Sequence, residues 1–349
     1  MLLPQTHAAV LFLMALSLLC WGSWANSYKL AGKWRFELYY FDFAAGVAVA
    51  AFLYAITVGN LGYDGFSFLD DLMHAGKRQW LYGFMGGVIF NLGNMILMSA
   101  ISVAGMATAF PVGIGVATIV GTTLAFAGGR TGNPALLFGG CALIAVAVVA
   151  AALAYRFHAI LRHEELARAG KAASTRRPSS IKGIVLALVS GLLIGSFFPL
   201  VDKAGEGEIG LGPYAIAFVF AIGVFISTFV FNVFLMNLPV EGEPLEVLDI
   251  FKSTPKQHLL GIAGGVVWGT GMVTSLAAAG APVEVRMTAG AGYFMAQAFA
   301  LVAALWGILL WKELKGGELR IKALAVCTFL FFVCGLLLIA QGLPLVRAA

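Results

Sequence analysis

The sequence predicts an all-α integral membrane protein: ten transmembrane helices in two five-helix repeats of inverted topology. Three observations carry this expectation. Hydrophobic residues make up 60% of the chain and charged residues 11%, with mean hydropathy +0.92, whereas a soluble domain is typically about a quarter charged. Apolar stretches near the ~20 residues needed to cross a bilayer recur along the chain. A glycine-rich motif of the third stretch returns in the eighth.

The expected spans fall at about 8–26, 38–58, 80–101, 106–126, 134–155, 183–201, 212–236, 258–280, 287–311 and 321–342. The first lacks a basic leading region and is longer than the ~7–15 residues of a signal-peptide core, so it reads as a membrane helix. The third and fourth meet around Ser102–Gly105. Between the fifth and sixth lies the most charged segment, Arg156 to Lys182, which carries seven Lys and Arg. The chain therefore divides into a first repeat (1–155), a basic connector (156–182) and a second repeat (183–349).

Sixteen Lys and Arg fall in the odd-numbered loops and six on the opposite side. Cytoplasmic loops are enriched in these residues, so both termini are expected outside and the connector in the cytoplasm of a multi-pass inner (plasma) membrane protein. The net charge of +5 is explained by that loop bias and implies no nucleic-acid partner.

Gly83-Phe-Met-Gly86-Gly87-Val-Ile-Phe90, followed by Gly93, matches Gly261-Ile-Ala-Gly264-Gly265-Val-Val-Trp268, followed by Gly271, at an offset of 178. Pro111 to Gly115 likewise parallels Thr288 to Gly292, and Trp21-Gly22-Ser23-Trp24 parallels Ile194-Gly195-Ser196-Phe197. Five crossings per copy reverse the second copy. Inverted repeats of this kind hold a solute site near the midplane in many secondary transporters.

Candidate site residues follow from polar and aromatic side chains placed inside apolar helices. Asn91 and Asn94 lie on the packed face of the third span, where a buried amide needs partners in a neighbouring helix or in a solute. Arg286, Gly290, Tyr293 and Gln297 form a helical stripe offering a cation, a phenol and an amide. Thr108 and Pro111 share a face of the fourth span, and Pro111 frees a backbone carbonyl. Trp21, Trp24 and Trp268 can anchor at an interface or stack on a flat solute. Of the acidic groups, Glu37 and Asp42 near the start of the second span are the candidates for proton coupling, the alternative being an ion pair with Lys33 or Arg35. The four cysteines, Cys20, Cys141, Cys327 and Cys334, lie singly in apolar runs, so no metal site or cofactor is expected.

The run Cys20-Trp21-Gly22-Ser23-Trp24-Ala25-Asn26, then Lys29-Leu30 and Trp34 through Asp42, resembles the opening of the ureide permeases, members of the drug/metabolite transporter superfamily related to glucose and rhamnose uptake proteins. The resemblance implies ten helices around a cytoplasmic central loop. It also implies proton-driven import of small polar solutes such as allantoin and uracil, and it points to Trp21, Asn26, Glu37 and Asp42. Gly170-Lys171-Ala172 lacks the pattern of a phosphate-binding loop, so ATP binding is not expected. The chain thus reads as a non-enzymatic secondary transporter of a small uncharged polar solute. A proton is its candidate second ligand, the lipid bilayer its surroundings, and a monomer or homodimer its assembly. A sugar uptake transporter and a drug or metabolite exporter are the alternatives.

Overall fold

The computed structural model describes residues 1–129, 132–168 and 180–343. Among them, ten helices are long and apolar enough to cross a membrane. The first span is α1 (His7–Ser23), continued after an interruption at Trp24 by α2 (Ala25–Leu30). The second is α3 (Phe36–Ile56), followed by the short helix α4 (Phe68–His74). The next three are α5 (Lys77–Ala104), α6 (Met106–Ala127) and α7 (Pro134–Arg168). The second set comprises α8 (Ser180–Ala204), α9 (Pro213–Asn237), α10 (Pro255–Ala279), α11 (Ala289–Leu305) and α12 (Leu319–Gly342). A π-helical turn, Trp306–Leu310, extends α11.

Side-chain caps fix several helix starts. The Thr6, Thr254 and Thr288 hydroxyls accept from the third residue of α1, α10 and α11, satisfying backbone N–H groups that a helix start leaves free. One residue, Gly105 at φ +80°, separates α5 from α6. That left-handed backbone favours glycine, and it turns the chain back with no loop at all. Helix α7 runs to Arg168 instead of ending near 155, because Arg156 to Arg168 contains no glycine or proline to stop it. The first part of the connector is therefore a helical extension. The remainder of the connector (169–179), with Lys171, Arg176 and Arg177, and also Arg130 and Arg347 of the charge count, lie outside the described residues.

The helices pair in a symmetric pattern. Helix α5 packs on α8 and α9, and α10 packs on α1 and α3; α6 packs on α8, and α11 on α1. Helix α7 faces α12, α3 faces α9, and α6 faces α11. Exchanging each of the first five spans with its counterpart among the last five maps these pairings onto one another.

Two crossings have the same construction. Where α5 meets α9, Gly87 and Gly223 lie backbone to backbone: a Cβ on Gly87 would strike the Phe220 carbonyl, and one on Gly223 the Phe84 carbonyl. Where α10 meets α3, a Cβ on Gly265 would strike the Phe43 carbonyl, and one on Gly46 the Ile262 carbonyl. Lipid gives helices no hydrophobic reason to associate, so close backbone contact through small residues is what holds them.

These crossings predict that Gly87→Ala and Gly265→Ala each destabilise the protein by about 1–3 kcal/mol, the usual cost of overpacking. Gly139→Ala, whose added methyl meets nothing within 4 Å, should leave the melting temperature of the detergent-purified protein within a degree or two. Equal behaviour of the three variants would refute this account of the crossings.

Candidate functional site

Near the middle of the helix bundle α1, α5, α6, α8, α10 and α11 surround a cavity of about 40 Å³. Its walls are largely aromatic. Trp268 of α10 lies 4.5 Å from Phe90 of α5 at an interplanar angle of 31°, and 6.3 Å from Trp21 of α1. Phe299 of α11 meets Trp21 edge-on at 5.7 Å, and Trp24 meets Phe110 edge-on at 6.3 Å. Ring faces and edges at these separations suit a flat guest. The volume is well below the roughly 300 Å³ of an ordinary small-molecule site, so a guest must displace rings to enter.

Two amides break the apolar wall. Asn94 donates through Nδ2 to the Tyr40 hydroxyl at 3.0 Å. Gln297 accepts at Oε1 from Thr118 at 3.2 Å. Each amide thus has one end fixed by a protein partner, while its other end has no hydrogen bond among the described residues. The Trp21 indole N–H, by contrast, is buried without a partner against Gly271 of α10. The cavity therefore offers an acceptor from Asn94 and a donor from Gln297, with aromatic faces around them.

Of the residues singled out in the sequence, Trp21, Trp24, Asn94, Trp268 and Gln297 come together at this cavity. The others lie elsewhere. Asn91 is fully buried at the α5–α9 seam, donating to Ser227 and Thr228 at 2.9 and 3.0 Å. Tyr293 joins α11 to α6 through the Thr122 hydroxyl at 2.8 Å and the Thr118 carbonyl at 3.2 Å. Asn26 donates to the Ser23 carbonyl and accepts from the Trp311 indole at 2.7 Å, joining α2 to the end of the ninth span. Thr108 and Pro111 are buried within α6 without lining the cavity. Arg286 precedes α11, and its guanidinium donates to the Ala281 carbonyl at 2.6 and 2.9 Å. The expected stripe therefore splits: Arg286 belongs to a turn, and Gly290 packs against the backbone of Ala340 in α12.

The two acidic candidates have different surroundings. Glu37 is fully buried, with both carboxylate oxygens on Arg35 at 2.6 and 3.1 Å. This is the local ion pair that the sequence left as an alternative. Asp42 instead reaches across to α10, where its Oδ2 lies 2.6 Å from His258 Nδ1. The Trp34 ring stands edge-on to the His258 ring at 5.7 Å. The second copy of this crossing has no such pair: at the offset linking Gly261 to Gly83, His258 corresponds to Trp80, and the partner of Gly83 is Val219 where Gly261 has Asp42.

Sequence reasoning missed His258, Tyr40 and Glu313, whereas Thr118 lies on the polar face of the fourth span that also carries Thr108 and Thr122. Glu313 accepts from the Met106 and Ala107 N–H groups at the start of α6, at 3.1 and 2.7 Å, and pairs with Lys29 at 2.8 Å. One signal was available for His258, since it is a histidine three residues before the repeated glycine motif, at the start of an apolar stretch.

The ureide permease family model matches residues 39–182. "Ureide permease 1" of Arabidopsis thaliana is 22% identical over an alignment 391 positions long that covers 95% of this chain and 96% of that protein. "Ureide permease 4" and "Ureide permease 2" of the same plant are each 23% identical with the same coverage. A protein of known crystal structure superposes with a TM-score of 0.51 at 15% identity, covering 95% of this chain and 96% of that one. It shares the fold.

The geometry separates the two asparagines. Asn94→Ala is expected to weaken solute binding with little loss of stability. Asn91→Ala is expected to lower stability by about 1 kcal/mol through its lost hydrogen bonds and to leave solute affinity unchanged. Thermal melts and binding titrations on both purified variants check the pair, and the reverse pattern would move the site to the α5–α9 seam.

Proposed function

We propose that this chain, which is similar to the ureide permeases, is a secondary transporter importing ureide-type solutes, small uncharged polar heterocycles, together with protons. The observation that carries this reading is the cavity in which Trp21 and Trp268 flank amides from α5 and α11. A planar ring with carbonyl and N–H groups at its edge would stack on the indoles, accept from Gln297, and donate to Asn94.

Alternating access is the mode of transport that the arrangement of the two five-span sets supports. The symmetric helix pairing and the duplicated glycine crossings support an inverted repeat, and in such repeats one set rocks against the other around a midplane site. With the basic odd-numbered loops in the cytoplasm, the closed end near Trp24, Lys29 and Glu313 is the inward one. Opening it means parting Lys29 and Asn26 of the first set from Glu313 and Trp311 of the second.

For proton coupling, the Asp42–His258 pair is the favoured carrier. It joins α3 of the first set to α10 of the second, and both an imidazole and a carboxylate can carry or release a proton. Protonated, the imidazole faces the carboxylate as its counter-ion; deprotonated, it leaves one charge partly buried without compensation. The equivalent crossing is built with Val219, so the fold does not require a pair at this place. Glu37, held by Arg35, is given a structural role.

The test is uptake into proteoliposomes of labelled allantoin and uracil, compared with hexoses and deoxyhexoses, with and without an inward proton gradient. Ureide or nucleobase uptake that accumulates only with the gradient is expected. Asp42→Asn and His258→Gln should abolish accumulation while preserving exchange of solute across the membrane at equilibrium. Uptake of sugars alone would replace the substrate class, and unaltered accumulation in both variants would remove the coupling role.

A further inference from the structure

A second concave surface lies away from the solute cavity, between the end of the ninth span and the start of α12. It is a groove of about 720 Å³. Its floor includes Val326, Phe329 and Leu330, and its rim carries Lys312, Lys315 and Lys322. No carboxylate lines it among the described residues. The neighbouring Glu313 is taken up by Lys29 and the start of α6.

The backbone here is shaped in a costly way. The π-helical turn Trp306–Leu310 widens the end of the ninth span, and such turns are often found at functional sites. Lys312 follows at φ +53°, the one non-glycine residue in the left-handed region among those described. A glycine would hold that conformation with less strain, yet a lysine is kept at the groove's rim.

Val326 and Leu330 of the floor are large apolar side chains exposed on the surface of a membrane-spanning helix, as are Leu309 and Leu310 next to Ile308 of its wall, so the floor faces hydrocarbon. The three ammonium groups stand at the end of the spans, at headgroup depth. We propose that this groove binds an anionic phospholipid of the adjoining leaflet, its acyl chain against the Val326 to Leu330 face of α12 and its phosphate among Lys312, Lys315 and Lys322. Basic clusters beside membrane helices recognise such headgroups by charge, and a zwitterionic lipid brings no net charge to offset three lysines. A second copy docking through the same face would set the lysines of both copies against each other across a two-fold axis, which disfavours a homodimer contact here.

The proposal does not depend on which solute the protein carries. It is tested on the full-length protein in detergent, equilibrated with phosphatidylglycerol and phosphatidylcholine of matched chains, with retained lipid measured by mass spectrometry. Retention of phosphatidylglycerol over phosphatidylcholine is expected. The triple variant Lys312→Gln, Lys315→Gln, Lys322→Gln should lose that preference, at up to roughly fivefold per lysine. The triple Lys→Arg variant, which keeps the charge, should retain it, and so should Arg156→Gln with Arg162→Gln, which removes charge from the connector. An unchanged preference in the Gln triple would overturn the proposal. So would an equal loss in the connector variant, which would indicate general surface charge, or a change in oligomeric state without a change in lipid, which would indicate a protein interface.

Discussion

Backbone contact between glycines is the constraint on which the rest depends. In a bilayer, two helices approach closely only where side chains are absent, and Gly87–Gly223 and Gly46–Gly265 supply that absence at equivalent crossings. These contacts fix the rotation of α5 and α10. Within about two turns beyond each glycine, the same faces present Phe90 and Asn94 on α5 and Trp268 on α10. The cavity is thus a product of helix packing, and its aromatic and amide groups are positioned by residues that never touch it.

Much of the fold was legible in the sequence because its signals are coarse and physical. Ten apolar stretches, a break at a charged connector and a repeated glycine motif require only length, composition and spacing. The site was legible in part: Trp21, Trp24, Asn94, Trp268 and Gln297 are polar or aromatic exceptions in apolar helices and come together at one cavity. Helical spacing does not say which neighbour a face will meet. Asn91 and Asn94 are three residues apart, yet one is spent on Ser227 and Thr228 of α9 and the other opens to the cavity. His258 and Tyr40 were missed because each acts through a partner on a helix distant in sequence. Arg286 was misjudged because Thr288, two residues later, caps α11 and leaves it outside the helix.

The distribution of charge complements this architecture. The cavity wall is neutral, and the ionisable groups are kept at the helix ends. A neutral wall suits an uncharged solute, since a buried unpaired charge would favour an ionic guest or shift its own protonation. The single pair that departs from the pattern, Asp42 with His258, breaks the equivalence of two otherwise matching crossings. In the proposed cycle, an asymmetric feature on a symmetric frame would give the inward- and outward-facing arrangements different surroundings for this pair.

The carboxylate of Glu313 has a further consequence. It is borrowed: the first N–H groups of α6 are satisfied by a residue from the opposite five-span set, and not by one of their own. Were that set to move away, as the proposed transport cycle requires, the start of α6 would be left as a cluster of unpaired donors with a partial positive charge. Water would satisfy those donors only on reaching them, so separation and hydration of this end would be one event. On that proposal a partly opened, dry end would be the costliest arrangement, and closure there would be all-or-none.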